Sequence, residues 1–220
     1  MALAIFDLDN TLINGDSDHS WGEFLLQRKL VDEQQYRRQN DQFYQDYQQA
    51  KLDIGAYLQF ALQPLTQYSP AELAELHQDF MREHIEPIML PKAQQLLAEH
   101  RARGDYLLII TATNGFITRP IAERLGVDEI LATDPELKDG RYTGNYIGTP
   151  CFGAGKVSNL NLWLEQHNKS LAGSYFYSDS INDLPLLEQV CHPVAVNPDE
   201  PLAAIASERD WPILDLREPA

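Results

Sequence analysis

An apolar run, Leu3-Ala4-Ile5-Phe6, stops at Asp7-Leu8-Asp9-Asn10-Thr11. Alternate residues of a strand point the same way, so Asp7 and Asp9 leave its end as a carboxylate pair. Two carboxylates so close repel unless a cation lies between them or one keeps a proton. Both arrangements suit chemistry better than architecture, although the pair could also cap a turn or helix. Polar groups close three further segments. LLIITATNG ends in Thr111, Thr113 and Asn114, FGAGK carries Lys156 at a helix start, and SYFYSDSINDLP carries Ser178, Asp179, Ser180, Asn182 and Asp183. Oxygen donors without His or Cys suit magnesium, a hard cation. Thr111, the neighbouring backbone N–H groups and Lys156 suit phosphate oxygens. A lysine at a helix start is unfavourable unless an anion meets it there.

These groups need a scaffold that brings strand ends together. Residues 2–6 read as a short buried strand. Between 18 and 86 the periodicity predicts four amphipathic helices, on stripes of Trp21, Phe24 and Leu25; Tyr36, Phe43, Tyr44 and Tyr47; Ile54, Tyr57, Leu58 and Ala61; and Leu73, Leu76 and Phe80. The last opens with Ser69-Pro70-Ala71-Glu72, a capping box with Pro at the first helical position. The aromatic stripes read as the core of a small bundle. After Pro87 the texture alternates. Helices are expected at 91–103, 116–125, 155–167 and 183–190, and strands at 106–111, 129–132, 174–178 and 193–196. A hairpin over 136–148 would turn at Asp139-Gly140, and a last helix and strand would end in WPIL. Repeated βα units imply a doubly wound, Rossmann-like α/β parallel sheet. The expected organisation is a catalytic core of residues 1–14 and 87–220, with a helical-bundle cap, residues 15–86, inserted after the first strand. In such sheets ligands bind at the carboxyl ends of the strands, where the four polar segments fall.

Composition narrows the partners. The formal charge of −16 disfavours nucleic acid, whose phosphates need Lys and Arg, and anionic membrane surfaces. No segment approaches the roughly 20 apolar residues of a membrane span. Asp7 follows the N-terminus too closely for a signal-peptide apolar region. Cys151 and Cys191 cannot alone form a disulfide framework or a four-ligand zinc site, and the histidines lack zinc spacing. The expectation is a cytoplasmic protein acting on a small molecule.

With all four segments in order, the chain resembles the haloacid dehalogenase superfamily of phosphatases over its whole length. Asp7-Leu8-Asp9-Asn10-Thr11 matches the first motif, Thr111 the second, Lys156 the third, and Asp179 with Asp183 the fourth. The helical insertion is similar to the cap of the phosphoserine phosphatase-like subgroup. The resemblance implies that Asp7 is a nucleophile forming an aspartyl-phosphate, and that Asp9 protonates the leaving alcohol and then activates water. It implies Mg2+ held by Asp7, the Asp9 backbone carbonyl and Asp179, with Asp183 steadying its water shell. Thr111 and Lys156 would hold the phosphoryl group, with Asn182 nearby. The chain departs from the commonest fourth motif, since Ser178 and Ser180 flank Asp179 where Gly often stands. Asp16, at the start of the insertion, falls near a carboxylate that meets the substrate amine in relatives; alternatively this segment is a loop-to-helix cap, Asp18 or Ser17 being good N-caps.

The implied function is magnesium-dependent hydrolysis of a small phosphorylated metabolite, an amino-acid-like phosphate, with histidinol phosphate favoured over phosphoserine. The tilt comes from the few arginines placed to bind a carboxylate: Arg28, Arg37 and Arg38. A phosphomutase of the same superfamily is the near alternative. A signalling receiver or a non-catalytic phosphate-binding protein is the distant one, and receivers lack a helical insertion and are phosphorylated on a later strand.

Overall fold

The computed structural model describes residues 2–49 and 51–217. Residues 1, 50 and 218–220, which fall within the expected core and insertion ranges, lie outside the described residues. β1 (Leu3–Phe6) is buried at every position, as a strand covered on both faces must be. It pairs in parallel with β2 (Tyr106–Asn114) on one side and β5 (Tyr175–Ser178) on the other. Beyond β2 lie β3 (Glu129–Lys138) and, antiparallel to it, β4 (Arg141–Ile147). Beyond β5 lie β6 (His192–Val196) and β7 (Ile213–Leu214). Among the described residues this is one seven-stranded sheet of order β4-β3-β2-β1-β5-β6-β7. The chain winds outward from β1 to β4, then returns across β1 to β5. The carboxyl end of β1 is therefore a topological switch point, where a crevice forms.

Between β1 and β2 run α1 (Ser17–Gln27), α2 (Glu33–Gln48), α3 (Ile54–Leu62), α4 (Pro70–Phe80) and α5 (Pro91–Ala102). Side-chain oxygens of Asp16, Asp32, Asp53 and Ser69 accept backbone N–H groups at the starts of the first four, satisfying donors a helix leaves unpaired. The capping box at Ser69 is complete: Glu72 Oε2 accepts from Ser69 N at 2.8 Å and Ser69 Oγ from Glu72 N at 3.3 Å. A π turn (Met81–Ile85) and a 3-10 turn (Glu86–Ile88) follow α4. The later helices are α6 (Gly115–Leu125), α7 (Ala154–His167), α8 (Leu184–Leu187) and α9 (Glu200–Glu208).

Two buried clusters lie on opposite faces of the sheet, one holding Ala4 and Phe6, the other Leu3 and Ile5. Trp21 and Phe24 of α1 belong to the Phe6 cluster, and Trp21 meets Phe116 of α6 at 5.3 Å. The aromatic stripe of α1 therefore packs into the sheet's own core rather than closing a detached bundle. The second stripe divides. Tyr36 and Phe43 pack on Phe60 at 4.6 and 5.3 Å, but Phe43, like Tyr44 and Tyr47, also lines a cavity, contrary to the expectation that the whole stripe is core.

Three element boundaries also differ. The strand expected at 129–132 and the hairpin at 136–148 merge into one long β3–β4 ribbon. It turns at Asp139 and Gly140, both with positive φ (51° and 74°), the conformation Asp-Gly hairpins favour. The helix expected near 183–190 is a 3-10 turn (Ile181–Asp183) followed by the short α8. The final strand reduces to Ile213–Leu214. No helix among the described residues is long and apolar enough to cross a membrane.

Candidate active site

Asp7 follows β1 directly and is 5% exposed. Its backbone N–H donates to Tyr177 O at 2.9 Å, which ties it to β5. Lys156, in the first turn of α7, donates from Nζ to Asp7 Oδ1 at 2.6 Å and to Asp183 Oδ2 at 2.8 Å. The anions that justify a lysine at a helix start are thus supplied by the protein itself. Burial works against the Lys156 charge, but Asp183 and Asp7 outweigh it and raise its pKa, so the ammonium is retained. Burial pushes Asp7 up to about 7; Lys156 pulls it down, and Asp183 and Asp9 push it further up. The backbone before Lys156 is tight. A Cβ on Gly155 would fall 2.0 Å from Pro150 O, so only glycine lets the turn close there.

The loop after Asp7 passes through Asn10 with φ 56°, a left-handed conformation that Asn tolerates. It returns Asp9 to the same cavity as Asp7. Asp9 Oδ1 accepts from Ser17 N at 2.7 Å and Oδ2 from Thr113 Oγ1 at 2.8 Å. Burial, then repulsion from Asp16, pushes Asp9 up to about 6, against the hydrogen bonds from Ser17 and Thr113. The two oxygens are not equivalent. A backbone N–H can only donate, whereas a hydroxyl can turn and accept, so Oδ2 is the oxygen able to carry a proton. Sequence reasoning placed Thr113 at this strand end but missed this contact; its position two residues beyond Thr111, on the same side of β2, was the available signal. Thr111 is buried beside Asp7 and Asp9, and its Oγ1 accepts from Thr113 N at 3.2 Å.

Asp179, after β5, accepts from Thr11 Oγ1 at 3.3 Å. Burial, with Asp7 and Asp183 nearby, raises its pKa well above the ordinary value. Asp183 accepts from Ser178 Oγ at 2.7 Å as well as from Lys156. Ser178 thus holds Asp183 in place. Asn182 is not brought to the cluster: its amide turns back and donates to Ser180 Oγ at 3.2 Å, because the 3-10 turn points it along the loop.

The helical insertion roofs the site. Asp7, Asp9, Thr111 and Thr113 line a narrow cavity whose remaining walls include Asp16, Asp18, His19, Phe43, Tyr44, Tyr47 and Tyr57. Asp16 is itself the N-cap of α1, accepting from Asp18 N at 3.0 Å and His19 N at 2.8 Å through Oδ1. The capping expected of Asp18 or Ser17 is therefore done one or two residues earlier. Burial raises the Asp16 pKa, against these bonds. Tyr47 reaches down from α2: burial first, then the charges of Asp179, Asp7 and Asp183, raise its pKa. The His19 ring packs 4.8 Å from that of Tyr44. The arginines considered for a substrate carboxylate are engaged elsewhere. Arg28 pairs with Glu83 at 2.9 Å, and Arg37 with Glu23 at 3.2 Å; Arg38 lies along an outer surface groove.

The donor set fits a hard divalent cation. Asp7, Asp179 and Asp183 are all buried, and the buried Lys156 ammonium meets Asp7 and Asp183. The charge of Asp7 helps to raise the Asp179 pKa. Clustered carboxylate oxygens with surplus negative charge and no nitrogen or sulfur donor suit magnesium.

Comparison with known proteins gives a consistent pattern. The family profile described as haloacid dehalogenase-like hydrolase matches residues 4–188. A histidinol-phosphatase of Neisseria meningitidis serogroup C is 50% identical over 219 residues, covering 98% of this chain and 99% of that one. A solved structure of a protein of unknown function from Bordetella pertussis Tohama I superposes with a TM-score of 0.92 at 45% identity, covering 98% of both chains. A phosphoserine phosphatase solved as an analogue of its phospho-aspartyl intermediate gives a TM-score of 0.69 at 18% identity, covering 99% of this chain and 94% of that one. That last likeness is one of fold.

Proposed function

The chain belongs to the haloacid dehalogenase-like hydrolase family and is a phosphoric monoester hydrolase of it, and we propose that it cleaves a small amino-acid-like phosphate through an aspartyl-phosphate on Asp7. Histidinol phosphate is the favoured substrate and phosphoserine the next. The observation that carries this reading is the convergence of Asp7 and Asp9, after β1, and Thr111, on β2, on one cavity, with Lys156 of α7 bonded to Asp7 Oδ1. The 50% identical relative named as a histidinol-phosphatase supports the choice of ester.

Lys156 occupies Asp7 Oδ1 and leaves Oδ2 to attack phosphorus. As the ester P–O bond breaks, the leaving oxygen takes the proton from Asp9 Oδ2. Water then enters, gives a proton to Asp9 and attacks the phosphorus, and the Asp7 carboxylate is released. Asp9 must be protonated in the first half and ionised in the second, which a pKa held near 6 permits close to neutrality. Thr111 and the Lys156 ammonium steady the phosphoryl oxygens as charge moves across them. Asp7, the Asp9 backbone carbonyl and Asp179 would hold magnesium, with Asp183 supporting its water shell. Bound there, the metal would neutralise charge between the carboxylate and the anionic phosphoryl group. Residues 15–86 act as a cap that keeps bulk water from the acyl phosphate.

The test is phosphate release from a panel including histidinol phosphate, phosphoserine and sugar phosphates, with and without magnesium. One strong, magnesium-dependent hit on an amino-alcohol ester is expected. Turnover that requires a sugar bisphosphate as primer would instead establish a mutase.

A further inference from the structure

Tyr47 is a neutral hydrogen-bond donor set among acids. It stands near the end of α2 and lines the same cavity as Asp7, Asp9 and Thr111. Its ring meets that of Phe152, in the loop before α7, at 6.2 Å. Asp179, Asp7 and Asp183 act on its phenol through their charges, and Ser180 acts on it through a hydrogen bond. One residue of the helical insertion thus reaches the acids that follow β1 and β5 and the loop that leads into α7. Packing of the insertion does not require this, since Tyr36 and Phe43 of the same helix pack on Phe60.

The hydrogen bonds around Ser180 decide what the phenol's own proton does. A hydroxyl has one proton and two lone pairs. Ser180 Oγ accepts from Asn182 N and from Asn182 Nδ2, both at 3.2 Å, so what it has left for Tyr47 is its proton. Burial and the three carboxylates raise the Tyr47 pKa, and the Ser180 bond works against them, as a proton given to the phenol oxygen would. The phenol's proton is then left for another acceptor. An ordinary phenol keeps it to about pH 10, so at neutrality Tyr47 donates and adds no charge. The other donors leave a place for it. Lys156 directs two of its three N–H groups to Asp7 and Asp183, and Thr111, whose Oγ1 accepts from Thr113 N, has one proton to give. A phosphoryl group in transfer presents three equatorial oxygens. We propose that the Tyr47 O–H, oriented by Ser180, donates to one of these oxygens as the group passes onto and off Asp7, so that α2 supplies part of the phosphoryl site. This rests on the phosphatase reading above and deepens it. The site is then complete only when the helical insertion stands over the carboxyl end of β1. Asn182 gains a part as well: its amide, turned from the cluster, orders Ser180 and through it the phenol.

Tyr47→Phe removes the one oxygen and keeps the ring that meets Phe152. Variant and wild type are compared, with magnesium, on 4-nitrophenyl phosphate and on the best-cleaved ester of the panel above, and for inhibition by orthovanadate, which adopts the geometry of a phosphoryl group in transfer. The value of kcat/KM should fall about tenfold or more, by the same factor for both esters, because the phosphoryl group is common to them. The inhibition constant of orthovanadate should rise by a similar factor. Unchanged turnover, a loss confined to one ester, or a loss with undiminished orthovanadate binding would overturn the proposal; the last two are what a phenol that meets the leaving alcohol, or one that only seats α2, would give. Should the variant fail to fold, a crystal structure of the wild type with magnesium and orthovanadate decides. Tyr47 Oη is expected within about 3.2 Å of a vanadate oxygen, and a greater distance from every vanadate oxygen would overturn the assignment. Absence of phosphate release by the wild type from every ester, 4-nitrophenyl phosphate included, would instead bring down the phosphatase reading and this proposal with it.

Discussion

Lys156→Met keeps the length and apolar stem of the side chain and removes its ammonium. The bonds lost are those to Asp7 Oδ1 at 2.6 Å and Asp183 Oδ2 at 2.8 Å, and both carboxylates remain buried, at 5% and 3% exposure. Removing one partner of a buried pair costs about 3–5 kcal/mol, because the remaining charge is uncompensated. At about 2–4 °C per kcal/mol for a chain of this size, Tm should fall by about 6–20 °C near pH 8. The cost should depend on pH, with a definite sign. A carboxylate whose folded pKa is raised contributes stability in full below its unfolded pKa and loses it as pH rises through the folded value. For Asp7 that window runs from 3.8 to about 7 in the wild type. Lys156 pulls Asp7 down, so in the variant the folded value moves higher and the loss continues where the wild type has levelled off. The lysine's own titration lies outside this window: its raised pKa leaves its contribution complete below an unfolded value of about 10.4. The stability gap between the two proteins should therefore widen from about pH 5 to about pH 8. Urea unfolding in a chelator at both pH values, read as shifts in midpoint at equal m, measures it. A gap below about 1 kcal/mol at both values, or one that does not change with pH, would refute the claim that this ammonium compensates buried carboxylates.

Asp16→Asn keeps an N-cap of similar quality but removes a charge that raises Asp9. The limb on which kcat/KM for a phosphate ester falls with rising pH should move to lower pH, by on the order of one unit; a pH profile that does not shift would contradict the assignment of that limb to Asp9. Gly155→Ala puts a methyl group against Pro150 O and must displace the first turn of α7, one residue from Lys156. Turnover should fall on the order of 10²-fold through misplacement alone, with stability lower by about 1–3 kcal/mol; steady-state kinetics and a melting curve check both.

The residues gathered at the cavity were legible in the sequence because strand ends follow from period and punctuation. An apolar run that stops at Asp7, and another that ends in Thr111 and Thr113, must deliver those residues to one edge of a parallel sheet. The Ser69 capping box and the Asp139-Gly140 turn were equally readable, each being a local preference with one geometry. What depends on packing was not. Tyr36, Phe43, Tyr44 and Tyr47 share one stripe, yet Tyr36 and Phe43 pack on Phe60 while Phe43, Tyr44 and Tyr47 line the cavity; periodicity gives a face but not what the face meets. The ribbon reading through Pro135 to Lys138 was split in two because its composition resembles a loop, and pairing with β4 overrides that. Lys156 was expected to meet phosphate, and its clamp between Asp7 and Asp183 is visible only once residues far apart in sequence are brought together. Asn182 had the right neighbourhood but the wrong direction, set by a 3-10 turn whose orientation no local signal encodes.

The central claim is that Asp7 carries the phosphoryl group between substrate and water. Rapid acid quenching of the enzyme during turnover of histidinol phosphate, followed by mass spectrometry of its peptides, tests it directly. One phosphoryl group on the peptide containing Asp7, absent from Asp7→Asn, is the predicted result. Full turnover by Asp7→Asn, or a phosphoryl group trapped on a different residue, would contradict the account.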